Sequence, residues 1–174
     1  MSRIGKGFWI WLTFSEKDQI DLVKLQSKVQ FRLNSPKFKI HLTLCGPYEI
    51  MSEELVLFVK DIANKQKNFV LETNKYGKKK EFFESFFIRI KESQKLIDLR
   101  KQFSKFENKN DEFQYTPHIS LSYGVFENKV KNDLILTLPE INQNLEVANI
   151  AIVKVDENKF LWDEVISFPL KNRN

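Results

Sequence analysis

Two short stretches decide how the rest of the sequence is interpreted: KIHLTLCG at residues 39–46 and TPHISLSYG at residues 116–124. Both alternate bulky aliphatic side chains with other residues and end at a glycine, a pattern typical of β-strands. In each, a histidine is followed two positions later by a small hydroxyl residue. Because alternate side chains of a strand point to the same face, the histidine and the hydroxyl share one face while the aliphatic residues anchor the strand in the core.

The two histidines are His41 and His118, the only histidines among the 174 residues, and the hydroxyl residues are Thr43 and Ser120. Phosphodiester hydrolysis without a metal needs a base for the attacking water, an acid for the departing oxygen and donors for the nonbridging oxygens. Two imidazoles supply the base and the acid near neutral pH. We therefore expect both histidines to be catalytic and both hydroxyls to bind phosphate. The pattern does not distinguish the base from the acid.

The segments around the two motifs follow the same order, which indicates an internal duplication. The histidines are separated by 118 − 41 = 77 residues, and the same offset places Leu22 on Leu99 and Val29 on Phe106. These four residues belong to apolar stripes with the spacing of buried helix faces. A strand, a helix and a second strand are therefore predicted in each half, with each motif on the second strand.

The remaining elements follow from apolar periodicity and turn residues. The sequence predicts strands at 7–14, 39–46, 68–75, 82–91, 116–124 and from about 145 and 159, and helices from Ser15 to about 34, around 55–62, over 96–106 and near 127–136. The basic cluster from Lys75 to Lys80 is interpreted as a solvated hairpin turn between two of these strands, in preference to a phosphate-steering surface. Helices and strands in this order predict an α+β fold.

The tetrads HLTL at 41–44 and HISL at 118–121 resemble the paired His-x-Thr/Ser-x signatures of the 2H phosphoesterase superfamily. The resemblance covers most of the chain, including the separation of the motifs and the elements that precede each one. It implies a single two-lobed domain over residues 1–174. The implied fold has two pseudo-symmetric lobes, whose antiparallel sheets surround a central cleft with the helices on the outside.

Within that superfamily the chain is most similar to small cyclic phosphodiesterases, which open 2′,3′-cyclic nucleotides or ADP-ribose 1″,2″-cyclic phosphate. Their first-strand aromatic and the tyrosine after their second motif match Trp11 and Tyr123, which implies that both contact the substrate. Core packing is the alternative for Trp11, and a hydrogen bond at the strand end is the alternative for Tyr123.

Two other functions stay open at this point. Some members of the superfamily cleave 2′,5′-oligoadenylates or cyclic oligonucleotides, including viral and phage proteins that blunt host immunity. A non-catalytic protein that binds RNA ends or nucleotides is the third possibility. In all three cases the expected partner is a nucleotide or oligonucleotide with a cyclic or 2′-linked phosphate.

Composition limits the remaining classes of function. Twenty-eight Lys and Arg against 23 Asp and Glu give a net charge of +5, and the charges are mixed along the chain, which argues against specific binding of duplex DNA. The single cysteine, Cys45, permits no internal disulfide and no cysteine-based zinc site. The apolar run at 7–14 is too short for a signal peptide or membrane span. We expect a cytoplasmic monomer with no metal, no cofactor and no membrane association.

Overall fold

The computed structural model describes residues 5–106, 115–156 and 162–172. Within these ranges the predicted α+β class is confirmed. The elements are β1 Gly7–Phe14, α1 Glu16–Leu33, β2 Leu42–Tyr48, α2 Glu53–Lys65, β3 Phe69–Lys78, a short 3₁₀ helix Phe82–Glu84, β4 Phe86–Ile90, α3 Gln94–Phe106, β5 His118–Ser122, α4 Asn128–Thr137, β6 Asn144–Val155 and β7 Asp163–Pro169.

The ends of α1 are set by its capping residues. The Ser15 hydroxyl accepts a hydrogen bond from the backbone N–H of Asp18, as an N-cap residue does. The Asp18 carboxylate in turn accepts the backbone N–H of Glu146 at 2.8 Å, which ties the start of the helix to β6. At the other end Asn34 adopts a left-handed conformation with φ of 49°, so the chain leaves the helix and turns toward β2.

The strands form one antiparallel system that is nearly closed. Their order is β1-β2-β5-β4-β3-β6-β7, and β1 also pairs with β6. The first six strands therefore form a ring, and β7 lies on an edge of β6. The contact between β2 and β5 is a single residue pair, Leu42 with Ile119. The ring can therefore be described as two sheets that join at β2 and β5 and again at β3 and β6.

The pairing registers confirm the pseudo-symmetry that the 77-residue offset predicts. Leu42 pairs with Ile119, its own equivalent in the other half, since 119 − 42 = 77. Between β3 and β6, Val70 pairs with Glu146 and Phe69 with Val147, and the offset exchanges these two pairs because 147 − 70 and 146 − 69 are both 77. A two-fold axis through both contacts requires such registers.

Each lobe, however, contains strands from both halves of the sequence. The third strand of the first half, β3, pairs with β4 of the second half, and β6 of the second half pairs with β1 of the first. One sheet is therefore β2-β1-β6-β7 and the other is β5-β4-β3. Because the halves exchange a strand, residues of both contribute to the main hydrophobic core.

Alternation along β1 separates the core from the cleft. Ile10 and Leu12 are fully buried in the main core, under the helices. Trp9 and Trp11 point to the other face, where a small cluster around Trp11 includes Ala151 of β6. A fully buried Ile or Leu contributes about 1.5–3 kcal/mol, so β1 is held by one face and presents its tryptophans on the other.

The prediction of a hairpin turn at Lys75 to Lys80 is wrong in position. Strand β3 continues to Lys78, and Gly77 pairs with Phe87 of β4. A Cβ atom at position 77 would lie 2.2 Å from the Phe87 ring, so only glycine permits this approach. The turn therefore begins at Lys79, later than the run of basic residues indicates.

Strand β2 also differs from its predicted bounds. It begins at Leu42 and continues past Pro47 to Tyr48, whereas the sequence predicts residues 39–46. Gly46, inside the strand, has a φ of +137°, and a Cβ atom there would lie 2.8 Å from the Trp9 ring. The backbone of β2 thus approaches an indole at the cleft, and His41 lies immediately before the strand.

Candidate active site

A cleft between the two sheets brings together all six residues that the sequence singles out. Its lining comprises Trp9, Trp11, His41, Thr43, Phe83, Glu84, His118, Ser120, Tyr123, Val155 and Trp162. The first sheet contributes one motif and the second sheet contributes the other. Phe83, Glu84, Val155 and Trp162 also line this cleft, although no sequence motif indicates them.

The same backbone hydrogen bond orients both imidazoles. His41 Nδ1 lies 2.7 Å from the carbonyl oxygen of Lys39, and His118 Nδ1 lies 2.8 Å from that of Thr116. A carbonyl oxygen only accepts, so Nδ1 carries the hydrogen in each ring and Nε2 remains available to a substrate. Since 116 − 39 = 77, this contact recurs at the same offset as the histidines.

His41 is buried and packed against aromatic side chains. It is 5% exposed, and the Trp11 indole stacks on it with ring centroids 3.4 Å apart and planes 4° from parallel. Burial lowers the pKa of His41 to about 3, although the hydrogen bond to the Lys39 carbonyl acts in the opposite direction. The positive charges at His118 and Lys39 contribute to this lowering of the pKa. His41 is therefore neutral at pH 7.

His118 lies among charged residues. Burial lowers its pKa, and the Thr116 carbonyl and the Glu84 carboxylate both raise it. The positive charges of Lys79 and Arg89 lower the pKa of His118, as burial does. Glu84 forms an ion pair with Lys79, so its carboxylate is held beside the site. Among the residues that the structure describes, a carboxylate favours the protonated form of His118 and none favours that of His41.

The two hydroxyls differ in what they already bind. Ser120 Oγ donates a hydrogen bond to the carbonyl oxygen of Phe83 at 3.2 Å, and a side-chain hydrogen bond links Ser120 with Tyr123. The Thr43 carbonyl accepts a hydrogen bond from the Tyr115 hydroxyl at 2.9 Å. This bond fixes the backbone at Thr43, whose side chain belongs to the lining of the cleft.

Trp11 and Tyr123 line the cleft but are largely packed. Each is 2% exposed. The broad face of Trp11 covers His41, and Tyr123 stacks on Phe38 with centroids 3.7 Å apart. Burial raises the pKa of Tyr123 above its ordinary value, so its hydroxyl stays protonated at neutral pH. Both residues therefore have a packing role as well as a place at the cleft.

Trp162 is the main aromatic residue that sequence reasoning missed. It stands at the cleft next to Trp11, with ring centroids 5.9 Å apart, and next to Tyr123, at 5.8 Å. Its Nε1 donates to the Asp156 carbonyl oxygen at 2.9 Å. Trp162 immediately precedes β7 and belongs to no motif, so the only signal in the sequence is an isolated tryptophan within the strand predicted from about residue 159.

The part of the chain that the structure describes contains neither a metal-binding cluster nor a membrane-spanning helix. Over residues 5–106, 115–156 and 162–172, no group of three or more His, Cys, Asp or Glu is arranged to hold a metal ion. Among the helices in these same ranges, none combines the length and apolarity needed to cross a membrane.

Comparison with known proteins gives similarity of structure without similarity of sequence. No protein-family model matches the chain, and no curated protein sequence does. TT0787 of Thermus thermophilus is 17% identical with a TM-score of 0.65, covering 96% of this chain and 99% of its own. E. coli LigT complexed with 3′-AMP is 16% identical with a TM-score of 0.69, covering 95% and 98%. A crystal structure of a phosphoesterase is 14% identical with a TM-score of 0.63, covering 96% and 99%.

Identities this low carry information about the fold, and the coverage shows that the fold is shared over nearly the whole of each chain. The chain therefore shares its fold with LigT and TT0787, and the fold class that the resemblance to the 2H phosphoesterases implies is confirmed.

Proposed function

We propose that this protein is a metal-independent phosphodiesterase that hydrolyses a cyclic phosphate of the 2′,3′-cyclic nucleotide or ADP-ribose 1″,2″-cyclic phosphate type. The observation that carries the proposal is the pair of imidazoles in one cleft, each oriented through Nδ1 by the same backbone contact and each accompanied by a hydroxyl. The fold is similar to that of LigT, which has been crystallised with 3′-AMP, phosphate, NADP+ and ATP. Those complexes support a nucleotide as the ligand.

The surroundings of the two histidines support a division of their roles. His41 is buried and neutral, so its Nε2 accepts a proton from the attacking water. The water oxygen forms a bond to phosphorus as one ester bond of the cyclic phosphate breaks. His118, whose protonated form Glu84 favours, donates its Nε2 proton to the departing oxygen. The products are a phosphomonoester and a free hydroxyl, and both histidines regain their starting states by proton exchange with solvent.

The hydroxyls and aromatic side chains supply the remaining contacts. Thr43 and Ser120 donate hydrogen bonds to the nonbridging phosphate oxygens, where negative charge grows in the transition state. Trp162 offers an indole surface to the planar base or sugar of the substrate. Trp11 and Tyr123 border this space and hold the histidine and the serine in place.

The two alternatives differ in what they need from the site. Cleavage of 2′,5′-oligoadenylates or cyclic oligonucleotides uses the same histidines and differs in the groups bound around them. A protein that only binds phosphate does not need two imidazoles with free Nε2 atoms in unlike electrostatic surroundings. This arrangement favours turnover over binding alone.

The test is a product assay with adenosine 2′,3′-cyclic phosphate in the presence of EDTA, followed by chromatography. We expect ring opening to a single phosphomonoester and no loss of rate with the chelator. The matched control is the double variant His41→Ala with His118→Ala, which should be inactive. Activity that disappears with EDTA, or that persists in the double variant, would contradict the proposal.

A panel then separates the substrate classes. It contains 2′,5′-oligoadenylate, a cyclic dinucleotide and ADP-ribose 1″,2″-cyclic phosphate beside the mononucleotide. A preference for the oligonucleotides would indicate that they, and not the cyclic mononucleotide, are the substrate class. Tight binding with no product after long incubation would indicate a binding protein.

A further inference from the structure

A second cleft adjoins the candidate active site on the far side of His118. It is lined by Asn74, Lys79, Glu84, Phe87, Arg89, Ile90, Thr116, Pro117 and His118. Two of these residues, Glu84 and His118, also line the first cleft. A ligand whose phosphate lies against His118 therefore has a second recess within reach of its neighbouring groups.

Arg89 is positioned by the sheet to face the same space as His118. The two residues are directly opposite each other in the antiparallel pair of β4 and β5. Opposite residues of such a pair point to the same face of the sheet. The guanidinium of Arg89 lies over the Phe87 ring, 5.3 Å from its centroid, and Phe87 is itself next to His118. This packing limits the orientations of the guanidinium.

The charge of the second cleft favours an anion. Lys79 is paired with Glu84, whereas Arg89 has no carboxylate within ion-pair distance among the residues that the structure describes. Lys79 and Arg89 against Glu84 leave a formal charge of 2 − 1 = +1. An arginine that has no carboxylate partner among the described residues, and whose guanidinium lies over an aromatic ring, is suited to binding a phosphate through two parallel hydrogen bonds.

Helix α4 anchors the loop that carries Lys79. Lys131 of α4 has no exposed surface, and its Nζ donates to the Lys79 carbonyl oxygen at 2.6 Å. A buried lysine that hydrogen-bonds a turn carbonyl holds the start of this loop against the helix. The wall of the second cleft is therefore fixed at Lys79.

We propose that the second cleft binds a further phosphate group of the substrate through Arg89 and Lys79. The substrate is then a nucleotide that carries a phosphate in addition to the one that is hydrolysed, either a terminal phosphate or an internucleotide linkage. The inference rests on the proposed function, because that function places the first phosphate between the histidines.

The experiment compares kcat/KM for three substrates that share one cyclic phosphate. They are adenosine 2′,3′-cyclic phosphate, the same compound with a 5′-phosphate, and a diadenosine dinucleotide that ends in the cyclic phosphate. We expect wild-type protein to favour one of the latter two by about 10-fold or more, the scale of a charge-assisted hydrogen bond. If the second cleft binds a terminal phosphate, the compound with the 5′-phosphate should be the better substrate. If it binds an internucleotide phosphate, the dinucleotide should be the better substrate.

Arg89→Gln should reduce this ratio to about one. Arg89 also influences His118, but that effect acts on every substrate and cancels in the ratio. Arg89→Lys, which retains the charge without the planar fork, should give an intermediate ratio. Arg32→Gln, the same substitution at an exposed position of α1, serves as the matched control and should keep the wild-type ratio.

Binding of 3′-AMP and adenosine 3′,5′-bisphosphate, measured by titration calorimetry, separates this inference from the proposed function. If no cyclic phosphate is opened but wild type binds the bisphosphate about 10-fold more tightly and Arg89→Gln does not, the second site stands and the hydrolase fails. If the substrates are opened with a ratio near one, or if Arg89→Gln leaves the ratio unchanged, the second site is wrong. Absence of both turnover and discrimination overturns both.

Discussion

The two halves of the cleft carry the same motif in different surroundings. On one side, His41 is covered by Trp11 and lies 6.5 Å from Trp162, centroid to centroid, in an environment that disfavours a positive charge. On the other, His118 is next to the carboxylate of Glu84 and opposite Arg89. The backbone contact of the two imidazoles is the same.

This difference between the surroundings of the two histidines is the one that the proposed division of roles requires. The repeat supplies two similarly oriented imidazoles, and catalysis needs one that accepts a proton and one that donates it. The neighbours of each ring supply the distinction, since aromatic burial favours the neutral form and a carboxylate favours the charged form. Mutations of the histidines, the hydroxyl residues, the tryptophans and Glu84 test this distinction, with the largest effect expected at the histidines.

Replacing either histidine by alanine should reduce kcat/KM for a cyclic phosphate by about 10²- to 10⁴-fold, the usual contribution of a general acid or base. The two variants should separate on a nucleoside 3′-(p-nitrophenyl) phosphate. Its leaving group departs without a proton, so His118→Ala should lose much less activity on it than His41→Ala. Thermal unfolding of both variants controls for folding. If each variant loses as much activity on the p-nitrophenyl ester as on the cyclic phosphate, the assigned roles are contradicted. If His41→Ala, and not His118→Ala, is the variant that loses less activity on the ester, the two roles are reversed.

The hydroxyls should also contribute unequally. Thr43→Ala should lower kcat by about 10²-fold, the scale of one transition-state donor. Ser120→Ala should lower it by about 10-fold, because the Ser120 hydroxyl already donates to the Phe83 carbonyl and must turn to reach the phosphate. Thr43→Ser, which keeps the hydroxyl, is the conservative control and should retain most of the activity. Steady-state kinetics that rank Ser120→Ala as the more damaging variant would refute this ordering.

Trp11 and Trp162 should differ in which kinetic constant they affect. Trp11 stacks on His41, so Trp11→Leu should lower kcat by about 3- to 10-fold, in line with the energy of an aromatic pair, with little effect on KM. Trp162 is partly exposed at the cleft, so Trp162→Leu should mainly raise KM. Trp11→Phe, which preserves a stacked ring, should recover kcat. If Trp11→Leu changed KM alone, Trp11 would be a substrate contact, as the family resemblance implies.

The pH profile should reveal the carboxylate beside His118. The base must be neutral and the acid protonated, so kcat/KM falls below the pKa of His41, which is about 3, and above the pKa of His118, which burial holds below 6.5. The optimum should therefore be acidic. Glu84→Gln removes a charge that raises the pKa of His118, so the alkaline limb should move to lower pH. Glu81→Gln, at an exposed position of the same loop, should leave the limb in place.

Local signals predicted the elements and the motif residues well. The cap at Ser15 and the apolar stripe of α1 depend on neighbours within four residues, so the helix could be predicted from its own sequence. The strand positions of the two motifs follow from alternation in the same way. The turn after β3 was misplaced because Gly77 looks like a turn residue, while its true role is to let β3 approach the ring of Phe87.

Long-range features could not be predicted from such signals. Glu84 and Trp162 carry no motif, and they reach the cleft because a short 3₁₀ helix precedes β4 and because β7 pairs with β6. The exchange of β3 and β6 between the halves could not be predicted from local signals either. The apolar alternation along a strand is the same whether that strand pairs within its own half of the sequence or with a strand of the other half.

The sequence by itself determined that two His-hydroxyl units with the same two-residue spacing exist and that each lies where a strand begins, since both conclusions need only repetition and the two-residue period. The tertiary structure decided that the units face each other and that their surroundings differ. The pKa of each imidazole depends on burial and on charges from segments far away in the chain, so these properties exist only after the strands have paired.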